Sequence, residues 1–150
     1  MTATYSFLDV TATLAGPTGV INLGAGAANS KEGITISLAS PRNAMTVGAD
    51  GEGMHNLKAD KSGTVTVRLL ASSTRNAALQ AMYDAQALSS ASWGDNVITI
   101  RNKGNDETTV CRGCAFQKQP DRVYGEEAGT LEWVFDCIKI DTVTGTYAGA

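Results

Sequence analysis

In Gly63-Thr-Val-Thr-Val-Arg-Leu-Leu the apolar side chains occupy alternate positions, with Val65, Val67 and Leu69 on one side and Thr64, Thr66 and Arg68 on the other. A period of two is the repeat of a strand with one buried face, and the β-branched content disfavours a helix. The same period places Leu8, Val10, Ala12 and Leu14 on one face of a first strand within Tyr5–Leu14. It also places Leu131, Trp133, Phe135 and Cys137 on one face of a strand over Thr130–Ile140. Further strands are predicted at Val20–Leu23, Ile34–Leu38, Val97–Arg101 and Thr108–Phe116, with a short one at Met45–Val47. Half-buried strands in this number must fold their sheet over a shared apolar core, and 150 residues suit one domain spanning 1–150.

The period changes once. After Ser72-Ser-Thr, whose hydroxyls suit a helix start, Leu79, Met82 and Tyr83 follow at helical spacing in an alanine-rich stretch, predicting a helix over residues 75–90. Gly16-Pro-Thr-Gly, Lys103-Gly-Asn-Asp and Gly125–Gly129 read as turns, and Gly24–Gly33 as a flexible loop. The fold class expected is mainly β, a sandwich or barrel-like domain with one helix.

Gly48 to Ser62 reads as one long polar connection. Loops above roughly 12–15 residues inside a compact domain usually carry function or order on a partner. Asp50, Gly51, Glu52, Gly53, His55, Asp60 and Lys61 are therefore the candidate interaction residues.

Charge narrows the partners. With 12 Lys plus Arg against 15 Asp plus Glu, the net charge is -3 and no basic footprint for a phosphate backbone exists. Charged residues make up only 18% of the chain, so copies of it repel one another weakly. The segment Met1–Asp9 has no basic stretch leading into an apolar run, and no run approaches the roughly 20 apolar residues of a membrane span, so neither a signal peptide nor a membrane span is expected; the odd set Cys111, Cys114 and Cys137 favours synthesis in a reducing cytoplasm.

Catalytic sets are missing. His55 is the one histidine and no Gly-x-Ser-x-Gly elbow occurs, which argues against a serine hydrolase. Gly24-Ala-Gly-Ala-Ala-Asn lacks the third glycine of a dinucleotide fingerprint, and Asp60-Lys-Ser-Gly lacks the glycines of a phosphate loop. Cys111-Arg-Gly-Cys114 has the spacing of half a zinc site, which Cys137 and His55 would complete, but it falls within a strand; reduced structural thiols are the preferred reading. The acidic pairs Asp50/Glu52, Asp106/Glu107 and Glu126/Glu127 read as solvated loop charge. No enzyme, cofactor or metal is expected.

The order of Tyr5-Ser-Phe-Leu-Asp-Val, Asn22-Leu-Gly-Ala-Gly-Ala with Glu32-Gly-Ile, His55, Lys61-Ser-Gly-Thr-Val-Thr-Val-Arg-Leu-Leu, Asn76-Ala-Ala-Leu, Trp93-Gly-Asp-Asn, Ala115-Phe with Pro120, and Glu132-Trp-Val-Phe resembles the tail tube proteins of contractile-tailed bacteriophages and related prophages. Tail-like bacteriocins and type VI secretion use similar tubes. The resemblance implies a virion protein that joins its strands into hexameric rings, which stack into a tube inside a sheath and pass DNA on ejection. Its implied partners are itself, the sheath, a baseplate or initiator, and a tail terminator. The alternative is a β-sandwich carbohydrate- or receptor-binding module using Trp93 or loop carboxylates.

Two physical features agree with assembly. Ile34–Leu38, Thr64–Leu70 and Val97–Ile100 contain no proline or lysine to blunt an exposed edge, so edge pairing between subunits is expected of them. Neighbouring subunits would also order the segments 48–62 and 16–33. An acidic wall, finally, suits a conduit that DNA slides through without being retained.

Overall fold

The computed structural model describes residues 2–147. Among them lie ten strands and one α-helix. The chain enters through a 3-10 turn at Phe7–Asp9, where the Ser6 hydroxyl accepts the Leu8 N–H. Strands β1 (Val10–Gly16), β2 (Gly19–Asn22), β3 (Asn29–Leu38), β4 (Asn43–Val47), β5 (Gly53–Leu57) and β6 (Gly63–Leu70) follow, then helix α1 (Arg75–Gln86). Strands β7 (Asn96–Asn102), β8 (Glu107–Lys118), β9 (Thr130–Cys137) and β10 (Lys139–Val143) complete the chain.

The main sheet runs β2-β1-β7-β8-β9-β6-β3, with β10 on β8, and every pairing in it is antiparallel. It is folded at β8. The first part of β8 pairs with β7 and β10, while Ala115–Lys118 pairs with β9. Gly113 makes the corner with φ +63, and a Cβ there would press on Ile138. A bulge at which one strand passes between two packed sheets is a common way to turn such a corner.

The apolar faces meet inside this fold. Val65, Val67 and Leu69 of β6, Trp133 and Phe135 of β9 and Leu14 of β1 are all fully buried, matching the alternation that predicted them, and Ile98 of β7 is fully buried beside them. Phe116 joins the layers: its ring lies 4.8 Å from Phe135, 6.0 Å from Trp133 and 5.6 Å from Tyr83 on the helix. Leu79 and Met82 seal the helix onto the core. Trp133 Nε1 donates to Asn76 Oδ1 at 3.1 Å, giving the buried indole its polar partner.

Several sequence expectations are corrected. Leu8 is exposed in the 3-10 turn, and the first strand starts at Val10. The helix stops at Gln86 rather than residue 90, because Leu88 no longer meets the core and Ser92 folds back to donate to the Gln86 carbonyl. Ser73, one residue before the N-cap, accepts the Arg75 N–H and donates to the Ala27 carbonyl. The strand predicted over Thr130–Ile140 breaks at exposed Ile138: β9 pairs with β6 and the end of β8, whereas β10 pairs with the first part of β8. Asn29–Gly33 belongs to β3 rather than to a flexible loop. Of the three strands expected at edges, Thr64–Leu70 and Val97–Ile100 are interior, each flanked on both sides, and only β3 is an edge. Among the described residues no helix is long and apolar enough to cross a membrane.

Candidate functional site

The segment read as a 48–62 loop is instead half of a β-hairpin. Strands β4 and β5 pair in the register Asn43↔Leu57, Met45↔His55 and Val47↔Gly53, forming a two-stranded sheet separate from the main one. Apolar residues on either side of a Gly-Ala-Asp-Gly turn produce it. At the tip the Gly48 N–H donates to the Glu52 carbonyl at 2.7 Å, Asp50 Oδ1 accepts the Glu52 N–H, and Gly51 takes φ +89, a value that favours glycine.

No residue of β4 or β5 is buried. Cross-strand pairing puts Met45, Val47, His55 and Leu57 on one face, with Met45 63%, Val47 56% and Leu57 81% exposed. An isolated two-stranded hairpin is at best marginally stable in water. This arm therefore carries an apolar stripe that its own subunit does not cover. Asn43 Nδ2 meets His55 Nδ1 at 3.3 Å, and Asn56 on the opposite face donates to the Ala44 carbonyl and Thr46 Oγ1.

The arm's base is fastened. Asp60 accepts from Ser62 Oγ at 2.6 Å, from the Ser62 N–H at 2.9 Å and from Ser40 Oγ at 3.1 Å, drawing the outgoing and returning chains together. The Ser62 hydroxyl first, then the Ser62 N–H and the Ser40 hydroxyl, hold the Asp60 carboxyl below the ordinary aspartate range. Lys61 Nζ reaches Asp141 at 2.9 Å, and Arg112 reaches the other oxygen of the same carboxylate at 2.9 Å. The predicted residues thus divide into a tip of Asp50, Gly51 and Glu52, a strand with Gly53 and His55, and a neck of Asp60 and Lys61. Met45, Val47 and Leu57 were not singled out by sequence, although the hairpin signature in Met45-Thr-Val-Gly-Ala-Asp-Gly-Glu-Gly-Met would have located them.

A second open surface lies along β3. Among the described residues its outer edge pairs with no strand, and a groove of about 470 Å3 beside it is lined by Tyr5, Phe7, Ile34, Ile36 and Ile100. The outer face of the β3-β6-β9 layer is polar: Arg68 donates to Thr35 Oγ1 at 2.8 Å and lies 3.7 Å from Glu132.

The cysteines are buried in the fold, not assembled with His55, which lies in the arm. Among the described residues no group of three His, Cys, Asp or Glu is placed to hold a metal ion. Cys114 Sγ and Cys137 Sγ are 2.9 Å apart. Thiol contacts with Cys111 and Cys114, then burial, push the Cys137 pKa up. Trp93 packs against Tyr83 and Phe116 with ring centroids 6.0 and 6.5 Å away.

The sequence model of the family described as Bacteriophage PhiTE tail tube protein matches residues 2–145. No curated protein matches the sequence. Among solved structures, the sheath-tube complex of an extracellular contractile injection system, PVC, in its extended state contains a chain that superposes with TM-score 0.59 at 10% identity, covering 94% of this chain and 92% of that one. The tube-terminating cap of the anti-feeding prophage gives TM-score 0.58 at 8% identity, covering 97% and 94%. The 6-fold symmetrised anti-feeding prophage baseplate gives 0.59 at 10% identity, covering 95% and 97%.

Proposed function

This chain belongs to the bacteriophage PhiTE tail tube protein family, and on that premise we propose that it forms hexameric rings that stack into the inner tube of a contractile tail. The observation that carries the proposal is the β4–β5 arm: a hairpin clamped at its base whose apolar stripe of Met45, Val47 and Leu57 has nothing of its own subunit to pack on. Seating that stripe on a neighbouring subunit supplies the burial an isolated hairpin lacks. Edge pairing along β3 closes the ring, since a head-to-tail contact between identical copies forms a ring when its rotation permits.

The tube works as a virion structural part without catalysis. Its partners are further copies of itself, a surrounding sheath, a baseplate or initiator, and a terminator; assembly takes place in the host cytoplasm. DNA passes through the lumen without specific binding. The polar face bearing Thr64, Thr66 and Arg68 suits the lumen wall, because Arg68 already faces Glu132 and Thr35 and so presents little free positive charge to phosphate. Tip residues Asp50, Gly51, Glu52 and Gly53 together with His55 approach the neighbour, while Asp60 and Lys61 aim the arm.

Electron microscopy of the purified chain, with and without Met45→Asp plus Leu57→Asp, tests this. Hollow tubes or stacked rings are expected from the natural sequence. The double variant is expected to keep its far-UV circular dichroism and remain small by sedimentation. Tubes that form equally well with both aspartates would show that the arm is not the contact. A natural chain that stays monodisperse at all concentrations and salts, even with a baseplate initiator present, would end the tube reading.

A further inference from the structure

The sequence reads Cys111, Cys114 and Cys137 as reduced structural thiols, and nothing in the proposed assembly uses them. Their placement is not that of unrelated core residues. The β8–β9 register pairs Ala115 with Asp136 and Phe116 with Phe135, so one step further along the ladder Cys114 stands opposite Cys137. Directly opposed residues of antiparallel strands have Cα atoms about 4.5–5.5 Å apart, inside the separation a disulfide spans. Their sulfurs lie 2.9 Å from one another, within about 1 Å of bonding distance. Both strands leave their ladder at this point, β8 through the Gly113 bulge and β9 through exposed Ile138. Local opening there lets a small oxidant reach side chains that are otherwise buried.

We propose that Cys114 and Cys137 form an intramolecular disulfide when the protein meets hydrogen peroxide, stapling β8 to β9. One thiolate attacks a peroxide oxygen, the O–O bond breaks, and a sulfenic acid and water result. The second thiol attacks the sulfenic sulfur, the S–S bond forms, and the hydroxyl leaves as a second water. Two thiols thereby lose two protons and two electrons, and one hydrogen peroxide becomes two waters. Cys111, on β8 opposite Ile98 and Ile140, also has its thiol against Cys137 but lies across the Gly113 corner from the β8–β9 ladder, so the directly opposed Cys114 is the partner that reacts and Cys111 remains a thiol.

Trypsin separates the three sulfurs: Cys111 falls in Gly104–Arg112, Cys114 in Gly113–Lys118 and Cys137 in Val123–Lys139. The experiment treats the folded full-length chain with hydrogen peroxide, quenches it, denatures it in iodoacetamide and maps the peptides by mass spectrometry. The expected product joins Gly113–Lys118 to Val123–Lys139 with a mass about 2 Da below the sum of the two thiol peptides, while Gly104–Arg112 is recovered separately with Cys111 as its alkylated thiol. Dithiothreitol before alkylation is expected to return three alkylated cysteines. A Cys111→Ala chain is expected to give the same crosslink, which a bystander role requires. Alkylation of all three cysteines after peroxide, a bridge that includes Cys111, or bridges only between chains would each overturn the assignment.

Discussion

Gln86 and Asn96 are fully buried and hold each other's side-chain amides. Gln86 Nε2 donates to Asn96 Oδ1 at 2.7 Å, and Asn96 Nδ2 donates back to Gln86 Oε1 at 2.8 Å. Their second N–H groups go to Thr18 Oγ1 at 3.2 Å and to the Cys114 carbonyl at 3.0 Å, so both oxygens and both nitrogens of the pair are in use. The pair pins the last residue of α1 to the first residue of β7, with Gly16 packed so closely against Asn96 that a Cβ there would collide with it. Asn96→Ala deprives the Gln86 amide of two partners and the Cys114 carbonyl of one. At about 1–3 kcal/mol for each buried group left unpaired, less what relaxation recovers, the loss is about 3–5 kcal/mol. Gln86→Met orphans one oxygen and one N–H of Asn96, a loss of about 2–4 kcal/mol. In the double variant both amides are gone together, and only the Cys114 carbonyl and the Thr18 hydroxyl lose a partner. The double variant is therefore expected to cost no more than the worse single one, a coupling of about 2–4 kcal/mol. Urea unfolding of the dispersed subunit, followed by the fluorescence of buried Trp133, measures all four proteins. Losses that add to within about 0.5 kcal/mol would refute the reciprocal pairing, because independent sites add to that tolerance.

Gly113→Ala forces a Cβ into a left-handed corner and against Ile138, and is expected to lower stability by at least about 1–2 kcal/mol in the same urea assay. Asp141 is held below the usual aspartate range by its hydrogen bond from Lys61 first, with the Lys61 and Arg112 charges adding to it. A depressed folded-state pKa stabilises the fold above the unfolded value of about 4, and that stabilisation is lost as the pH falls through the folded value. The urea midpoint is therefore expected to drop below about pH 4, and Asp141→Asn to flatten that part of the pH profile. A profile unchanged by the asparagine would mean that the two ion pairs add nothing to the folded state.

What the sequence made legible is what burial imposes on it. Val65, Val67 and Leu69, and Trp133 with Phe135, alternate because one face of each strand is inside, and those residues are indeed fully buried. Strand order is not written in that alternation: Thr64–Leu70 lacks a proline or lysine whether it lies at an edge or, as it does, between β3 and β9. The break at Ile138 was hidden for a related reason, since a strand that changes partners keeps the same residue types while its ladder moves. The sequence predicts a longer helix because Ala87 to Ser90 favours or tolerates helix, and only the loss of core contact at Leu88 ends it.

The β4–β5 arm was the least legible element, and the reason bears on what it does. A period-two signal arises when one face of a strand is buried against its own chain. In the arm neither face is buried, so apolar and polar residues are not sorted by the subunit, and Gly53-Met-His-Asn-Leu reads as loop. Yet the arm is not built like a loop. Asp60 closes its neck through Ser40 and Ser62, Lys61 ties that neck to Asp141, and a regular ladder runs from Asn43↔Leu57 to Val47↔Gly53. A neck fixed this firmly limits where the stripe of Met45, Val47 and Leu57 can point, which lowers the entropy that docking must overcome. In the proposed assembly, an element ordered at its base and unsatisfied along its length would bury its stripe on a neighbouring copy, and the low charge of the chain would oppose that encounter little.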